Sequence, residues 1–252
     1  MAFTIAVAGK GGSGKTTIAA LLIKTIRDNK LGTCLAIDAD PNSNLALNLG
    51  LDSTVSIGEI IDSIAKTPKS IPVGMSKNEF IELKVNEALS EGNSFDLLSM
   101  GRPEGPGCYC YANNVLRDIV GKIIKQYAFC VIDNEAGMEH LSRRTTREAD
   151  FFIVVSDPTV VGMRSAARIR SLIDEMDFKF KKIFLFINKA EGNVKLIPEI
   201  ERVNFDKIYQ LPFDEELFDF SIKGKPTPDI KKTNMVFKKI EEFRQEYGFR
   251  AN

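Results

Sequence analysis

The stretch that decides the fold is Gly9-Lys-Gly-Gly-Ser-Gly-Lys-Thr16. It follows a short apolar run at residues 3–8 and precedes residues 16–29, where apolar side chains recur at helical spacing. Glycines let successive main-chain N–H groups turn toward one anion, and a helix that follows adds its positive N-terminal end. The pattern G-x-x-x-x-G-K-[ST] between a strand and a helix therefore predicts a phosphate-binding loop, or P-loop.

The residues of this loop have predicted roles with a nucleoside triphosphate. Lys15 is predicted to reach the β- and γ-phosphates, and the hydroxyl of Thr16 to bind Mg²⁺. The loop is predicted to hold ATP or ADP through Gly11, Gly12, Ser13, Gly14, Lys15, Thr16 and Thr17. It also fits the dinucleotide fingerprint G-x-G-x-x-G, with Asp38 placed to hold a ribose, so an NAD-dependent oxidoreductase is an alternative. Lys15 and Thr16 favour the ATP interpretation, because they have no role in the other one.

Short apolar runs alternate with amphipathic segments along the chain. We predict strands at residues 3–8, 33–38, 95–100, 129–133, 151–155, 182–188 and 207–211, and helices at 16–29, 113–127, 161–176 and 234–247. This alternation predicts an α/β P-loop NTPase fold, with a mostly parallel sheet of about seven strands and helices on both faces. Residues 51–93, where Pro68 and Pro72 interrupt a helical pattern, are expected to form helical insertions.

Length and charge narrow the possible classes of protein. A chain of 252 residues without a break in composition predicts one domain over residues 1–252. Lys plus Arg and Asp plus Glu both total 34, so no net charge attracts nucleic acid or anionic lipid. No apolar run approaches the ~20 residues that cross a bilayer, and the N-terminus lacks a signal-peptide pattern. We expect a cytoplasmic protein with neither nucleic acid nor membrane as a partner.

Carboxylates follow two predicted strands, in Asp38-Ala-Asp40-Pro41 and Asp133-Asn-Glu-Ala-Gly137. Ligands of parallel sheets bind at the carboxyl ends of the strands, so these residues are expected beside the P-loop. There a carboxylate can hold Mg²⁺ through water or orient an attacking water, and a following glycine lets the main chain sense the γ-phosphate. Capping of the next helix is the alternative role for either carboxylate.

Together these residues resemble the deviant-Walker-A ATPases, which include the nitrogenase iron protein, the MinD proteins and the arsenite-pump ATPases. Lys10, directly after the first glycine, is the mark of that group. The resemblance implies that Lys10 reaches across a homodimer to the partner's phosphates and that Asp40 orients the attacking water. It also implies a second switch at residues 133–137. Adenine contacts are implied for Asn188, Pro212 and Phe213.

The cysteines divide into two classes. Cys34 and Cys130 lie in apolar strand sequences and are predicted to be buried in the core. Cys108 and Cys110 lie in turn-forming sequence, where two thiolates at i and i+2 can point to the same side. They supply half of a tetrahedral shell, so a second copy across a two-fold axis would complete a Zn²⁺ or Ni²⁺ site. Free surface thiols or a local disulfide are the alternatives.

Within the deviant-Walker-A group, the chain resembles the nickel-insertion accessory ATPases of carbon monoxide dehydrogenase and acetyl-CoA synthase. The resemblance rests on the sequence from Asp38 to Pro41, on the Cys108 and Cys110 pair, and on Glu135-Ala-Gly-Met-Glu-His-Leu-Ser-Arg-Arg144. It implies a nucleotide-gated homodimer that hydrolyses ATP and delivers or conditions nickel for one of these metalloenzymes. An iron–sulfur electron donor like the nitrogenase reductase and a positioning ATPase like MinD or ParA are the alternatives.

The last predicted helix could either bind a membrane or dock on the core of the protein. Glu241 and Glu242 lie beside a single apolar face of this helix. That face consists of Val236, Phe237, Ile240 and Phe243. An acidic border does not suit a basic membrane anchor, so this helix is predicted to dock on the core.

Overall fold

A computed structural model gives the fold. It describes residues 2–40, 44–52, 54–67, 71–101, 109–135, 148–176 and 178–249, with the main chain alone for residues 109–115. The strands are β1 (Phe3–Gly9), β2 (Cys34–Ala39), β3 (Ser90–Glu91), β4 (Asp96–Ser99), β5 (Phe129–Asn134), β6 (Glu148–Ser156), β7 (Lys179–Ala190) and β8 (Lys207–Pro212). The helices are α1 (Lys15–Asp28), α2 (Asn44–Leu49), α3 (Ile57–Lys66), α4 (Lys77–Glu87), α5 (Tyr109–Ile124), α6 (Val160–Glu175), α7 (Pro198–Glu201), α8 (Glu215–Ile222) and α9 (Met235–Tyr247), and a 3₁₀ turn spans Thr227–Asp229.

The strands form one eight-stranded sheet in the order β3-β4-β2-β5-β1-β6-β7-β8. Every neighbouring pair is parallel except β3 and β4. The predicted α/β fold with a mostly parallel sheet is therefore confirmed. The prediction of about seven strands misses β3. This edge strand pairs only Ser90 with Leu97 and Glu91 with Asp96, which is too short to give an apolar pattern in the sequence.

Helices cover both faces of the sheet, as predicted. On β1, the side chains of Ile5 and Val7 join a core that includes α1, α2 and α9. Ala6 and Ala8 point to the opposite face, where they pack with α6. Because both faces of the central strands are buried, their sequences are apolar throughout rather than alternating.

The expected helical insertions are α3 and α4, which cover the part of the sheet formed by β2, β4 and β5. Each begins with a capping box, Ser56 with Glu59 in α3 and Ser76 with Glu79 in α4. In this arrangement the serine and glutamate side chains each accept a main-chain N–H at the start of the helix. Local sequence therefore fixes where both helices begin.

The predictions about buried residues hold for the last helix and for two cysteines. Val236, Phe237, Ile240 and Phe243 are all buried, so α9 docks on the core as predicted. Cys34 and Cys130 are free and buried, which confirms their assignment to the core. Among the residues that the structure describes, no helix is long and apolar enough to cross a membrane.

Candidate nucleotide-binding site

A pocket of about 520 Å³ opens at the carboxyl ends of the central strands. This volume is within the range of small-molecule sites. The P-loop forms its floor. The predicted site residues that line it are Gly11, Gly12, Gly14, Lys15, Thr16, Thr17, Asp40, Asn188, Pro212 and Phe213. Lys10, Ser13 and Asp133 are described and do not line it. The structure thus brings most of the predicted residues to one cavity.

Gly14 has a conformation that other residues rarely adopt. It ends the P-loop and caps α1 with φ 96°, in the left-handed region. A Cβ at this position would lie 2.3 Å from Nδ2 of Asn188. Both the backbone angle and the close approach therefore require glycine at this position.

The end of β7 holds the P-loop through two hydrogen bonds. Nδ2 of Asn188 donates to the main-chain oxygen of Ser13 at 3.0 Å, and Nζ of Lys189 donates to that of Gly12 at 2.9 Å. Because C=O and N–H point in opposite directions across a trans peptide, the first bond directs the N–H of Gly14 away from Asn188. Lys189 itself has φ 59° next to a register shift in β7. This irregular strand end orients the loop.

Lys15, Thr16 and Asp133 meet beneath the pocket. Lys15 is 7% exposed, and its Nζ lies 3.5 Å from the main-chain oxygen of Lys10. The hydroxyl of Thr16 lies close enough to the carboxyl group of Asp133 to lower its pKa, and Asp133 is 1% exposed. Oδ1 of Asp133 has no hydrogen-bond partner among the described residues. A buried, unpartnered carboxyl oxygen beside a threonine hydroxyl fits the oxygen ligands of Mg²⁺ and its waters.

Two buried carboxyl groups lie side by side at this point, because the register places Asp38 next to Asp133. Burial raises the pKa of Asp133 to about 7; the hydrogen bond from Thr16 lowers it, and the charge of Asp38 raises it further. Burial also raises the pKa of Asp38 to about 6, although main-chain N–H groups of Leu45 and Asp40 lower it. Both shifts arise chiefly from burial, and a cation bound beside these carboxyl groups would favour their charged forms.

Asp38 and Asp40 have different environments. The oxygens of Asp38 accept the N–H of Asp40 at 3.1 Å and that of Leu45 at 2.9 Å, and the residue is 0% exposed. Asp38 therefore positions the end of β2 and cannot reach a ribose, which removes the basis of the dinucleotide alternative. Asp40 is partly exposed and lines the pocket.

Lys10 is exposed at the surface of the P-loop. Its main-chain oxygen accepts the N–H of Ser13 at 3.2 Å, and no carboxylate of the described residues lies within salt-bridge distance of its side chain. The side chain of Ser13 is buried, and its hydroxyl has no hydrogen-bond partner among the described residues. The role of Lys10 toward a partner subunit stays a prediction.

Another wall of the pocket is made mostly of residues that were not predicted from the sequence. Three of its residues, Pro212, Phe213 and Asp214, come directly before α8. The helix itself contributes Leu217, Phe218 and Ser221. The rings of Phe213 and Phe218 are 5.8 Å apart and are 41% and 54% exposed. Asn44 also lines the pocket without having been predicted, and Glu135, which belongs to the predicted second switch, lines it as well. The phenylalanines directly after the last strand, Phe213 and Phe218, were the available signal.

The predicted soft-metal site lies outside the described residues, since Cys108 and the side chain of Cys110 are not among them. Within the described part of the chain, no group of three or more His, Cys, Asp or Glu side chains could hold a metal ion. The switch segment after Glu135 likewise lies outside it up to residue 147. The Cys108 and Cys110 site stays a prediction.

Comparison with known proteins identifies relatives over most of the chain. The family model described as the CobQ/CobB/MinD/ParA nucleotide binding domain matches residues 4–227. An uncharacterized ATP-binding protein of Methanocaldococcus jannaschii is 41% identical over 246 residues, covering 96% of this chain and 97% of that protein. The carbon monoxide dehydrogenase accessory protein of Rhodospirillum rubrum is 31% identical over 225 residues, 84% of each chain. The structure of septum site-determining protein MinD from Pyrococcus horikoshii with Mg-ADP has a TM-score of 0.65 and 18% identity, covering 100% of both chains.

Proposed function

The chain belongs to the CobQ/CobB/MinD/ParA family of nucleotide-binding domains, and on this premise we propose that it is a cytoplasmic ATPase that works as one domain and supports nickel insertion into a metalloenzyme. The observation that carries the ATPase part is the 520 Å³ pocket, which is lined by the P-loop, by Asp40 and by Phe213 and Phe218, here called the aromatic wall. Clients of this kind are carbon monoxide dehydrogenase and acetyl-CoA synthase. The fold resemblance to a MinD protein solved with Mg-ADP supports the choice of nucleotide.

ATP would lie with its phosphates on the P-loop and its base against the aromatic wall. The side chain of Lys15 and the N-terminal end of α1 supply positive charge at the phosphates. Phe213 and Phe218 offer exposed rings for the base. The amide oxygen of Asn188 accepts no hydrogen bond from the described residues and can make a polar contact with the base. ADP would contact the same groups, except for those that hold the γ-phosphate of ATP.

Hydrolysis is assigned to four side chains of each subunit. Asp40 orients water toward the γ-phosphate, Lys15 stabilises the charge that develops there, and Thr16 with Asp133 would hold Mg²⁺. When bound, Mg²⁺ neutralises phosphate charge and orients the triphosphate. Lys10 is proposed to supply further charge to the site of a partner subunit in a homodimer, as an arginine finger does. Its exposed position outside its own pocket supports that assignment.

The role in metal insertion rests on similarity and on the cysteine pair. A protein 31% identical over 84% of the chain is an accessory protein of carbon monoxide dehydrogenase. Cys108 and Cys110 from two subunits would together present four thiolates, a set that suits Zn²⁺ or Ni²⁺. Metal would then stabilise the dimer, and ATP, by drawing the subunits together, would raise the metal affinity by the same factor.

A positioning function is the second candidate. The fold resemblance to MinD favours it, although an identity of 18% shows the fold alone. Such a protein would increase its ATP hydrolysis on anionic lipid vesicles or on DNA. Stimulation by either, without metal binding, would replace the nickel proposal with this one.

Metal analysis and mass in solution test the proposed function. We expect protein purified without oxygen to bind one Zn²⁺ or Ni²⁺ per dimer, more tightly with ATP. Cys108→Ser and Cys110→Ser should lose the metal, whereas the buried pair Cys34→Ser and Cys130→Ser should keep it. ATP with Ni²⁺ should activate nickel-free carbon monoxide dehydrogenase in the presence of wild type but not of Lys15→Ala. Unchanged metal binding in Cys108→Ser and Cys110→Ser would contradict the nickel assignment and leave the ATPase.

A further inference from the structure

The 3₁₀ turn at Thr227–Asp229 joins elements on different sides of the nucleotide pocket. It follows α8, which forms the aromatic wall, and it contacts both α1 and α2. Helix α1 begins in the P-loop, and α2 begins four residues after Asp40. The turn therefore links the base end of the pocket with the side that carries the proposed hydrolytic carboxylate.

The attachment to α1 uses buried charge. Lys24 is 4% exposed, and its Nζ donates to the main-chain oxygen of Pro228 at 3.0 Å and to Asp28 at 2.8 Å. Arg27 donates to the same oxygen of Pro228 at 3.0 Å. Buried lysine is stable only when paired, so these bonds hold the turn firmly against the P-loop helix.

The attachment to α2 is a chain of side-chain hydrogen bonds. The hydroxyl of Thr227, which is 4% exposed, donates to Oδ1 of Asn48 at 3.1 Å. Nδ2 of Asn48 in turn donates to the main-chain oxygen of Asn44 at 3.1 Å. Asn44 lines the pocket. The hydrogen bonds from Thr227 through Asn48 thus end at Asn44, which lines the same pocket as Asp40.

Helix α2 is short, and it packs against α1, β2 and the turn. Its buried side chains are Leu45, Ala46 and Leu49. At its start, Asp38 accepts the N–H of Leu45, and at its end the bond from Thr227 to Asn48 holds it against the turn. Gly50 also approaches the turn closely, since a Cβ there would lie 2.7 Å from Cγ of Pro226. Loss of the Thr227 hydroxyl would therefore remove the one side-chain hydrogen bond between the turn and Asn48 and loosen the end of α2, while Asp38 still holds its start.

We propose that Thr227 and Asn48 are positioning residues that hold α2, and through it Asp40, at the distance from the P-loop that hydrolysis requires. The inference rests on the proposed ATPase function. Neither residue is among those that line the pocket, so they should affect turnover much more than nucleotide affinity. The P-loop, Asn188 and the rings of Phe213 and Phe218 form none of the hydrogen bonds in this chain.

Thr227→Val tests this inference, because it keeps the shape and removes the hydroxyl. We expect kcat for ATP to fall about fivefold, the change that corresponds to loss of one hydrogen bond, with KM within about twofold of wild type. Thr227→Ser, which keeps the hydroxyl, should restore kcat. Thr25→Val is the matched control, since Thr25 is also buried but its hydroxyl has no partner among the described residues. It should turn over ATP as wild type does.

Amide hydrogen exchange separates failure of this inference from failure of the ATPase proposal. In nucleotide-free protein, Thr227→Val should speed exchange at residues 44–49 about fivefold and leave α1 unchanged. If wild type shows no ATP turnover but this exchange still rises, the proposed function fails and the link from Thr227 to α2 stands. Wild-type kcat in Thr227→Val, a fall that Thr227→Ser does not reverse, or unchanged exchange at residues 44–49 would overturn the inference.

Discussion

The side-chain amide of Asn188 donates to the main-chain oxygen of Ser13 at 3.0 Å, which joins the end of β7 to the P-loop across 175 residues of sequence. With the bond from Lys189 to Gly12, it gives the phosphate-binding loop a support outside its own strand and helix. Nucleotide affinity should therefore depend on β7 as well as on the motif.

Asn188→Ala is predicted to weaken ADP binding about tenfold, because it removes a buried hydrogen bond that orients the loop together with a polar group of the pocket. Asn29→Ala is the matched control: Asn29 donates to the oxygen of Thr25 at the other end of α1. It should cost some stability and leave ADP affinity unchanged. Titration calorimetry measures both, and equal affinities in the two variants would show that Asn188 does not support the site.

Gly14→Ala is predicted to abolish tight ADP binding. Alanine disfavours the left-handed conformation by roughly 1–2 kcal/mol, and its Cβ would displace the amide of Asn188. Gly121→Ala is the matched control, because Gly121 lies within α5 and a Cβ there meets nothing within 4 Å. That change should raise the free energy of unfolding by about 0.5–1 kcal/mol and leave binding intact. Near-normal ADP affinity in Gly14→Ala would contradict the described loop geometry.

Stability should change with pH through Asp38. Its pKa in the folded protein is raised to about 6, so the folded state binds this proton more tightly than the unfolded state. The unfolding free energy of wild type, relative to Asp38→Asn, should therefore fall as pH rises from about 4 to about 6. Chemical denaturation of nucleotide-free protein across this range measures it.

Asp28→Asn is the control for that slope. Burial acts to raise the pKa of Asp28, but the bonds from Lys24 and Arg27 outweigh it and lower the pKa. Stability relative to Asp28→Asn should therefore rise with pH over the acid range, the opposite sign. Parallel curves for wild type and Asp38→Asn would mean that the Asp38 carboxyl group is not perturbed in the folded protein.

Features that depend on local sequence were predicted well. The P-loop follows from residue spacing between a strand and a helix, and burial on both faces made the long parallel strands apolar. Asp133 and Asp40 were expected near the P-loop because they follow parallel strands. The exception among the strands is β3, whose two residues carry no periodicity.

Features that depend on distant contacts could not be predicted. The sequence placed Asp38 and Asp40 on one strand end but gave no sign that Asp38 would be buried while Asp40 lines the pocket. The hydrogen bond from Asn188 to Ser13 forms only when β7 pairs with β6. The aromatic wall likewise forms only when β8, which precedes α8, pairs with β7. The order of strands in the sheet, which no local pattern encodes, decides both.

Complementation tests the proposed action of Lys10 on a partner subunit. Lys10→Ala and Asp40→Asn should each be inactive alone, whereas a mixed dimer has one complete site. An equal mixture should therefore recover about a quarter of wild-type ATP turnover if subunits exchange at random. Mixing Asp40→Asn with the double variant Lys10→Ala/Asp40→Asn should recover none. A mixture no more active than its separate components, with dimers of normal mass, would contradict action in the partner subunit.

Phosphate release from MgATP tests the central claim most directly. Wild type should release inorganic phosphate catalytically, and Lys15→Ala should lose at least about a hundredfold in turnover, because the ammonium group no longer stabilises charge at the γ-phosphate. The variant should keep the circular dichroism and melting behaviour of a folded protein. Equal rates in wild type and folded Lys15→Ala, or no release by wild type with or without Zn²⁺ or Ni²⁺, would contradict the assignment of this pocket to ATP hydrolysis.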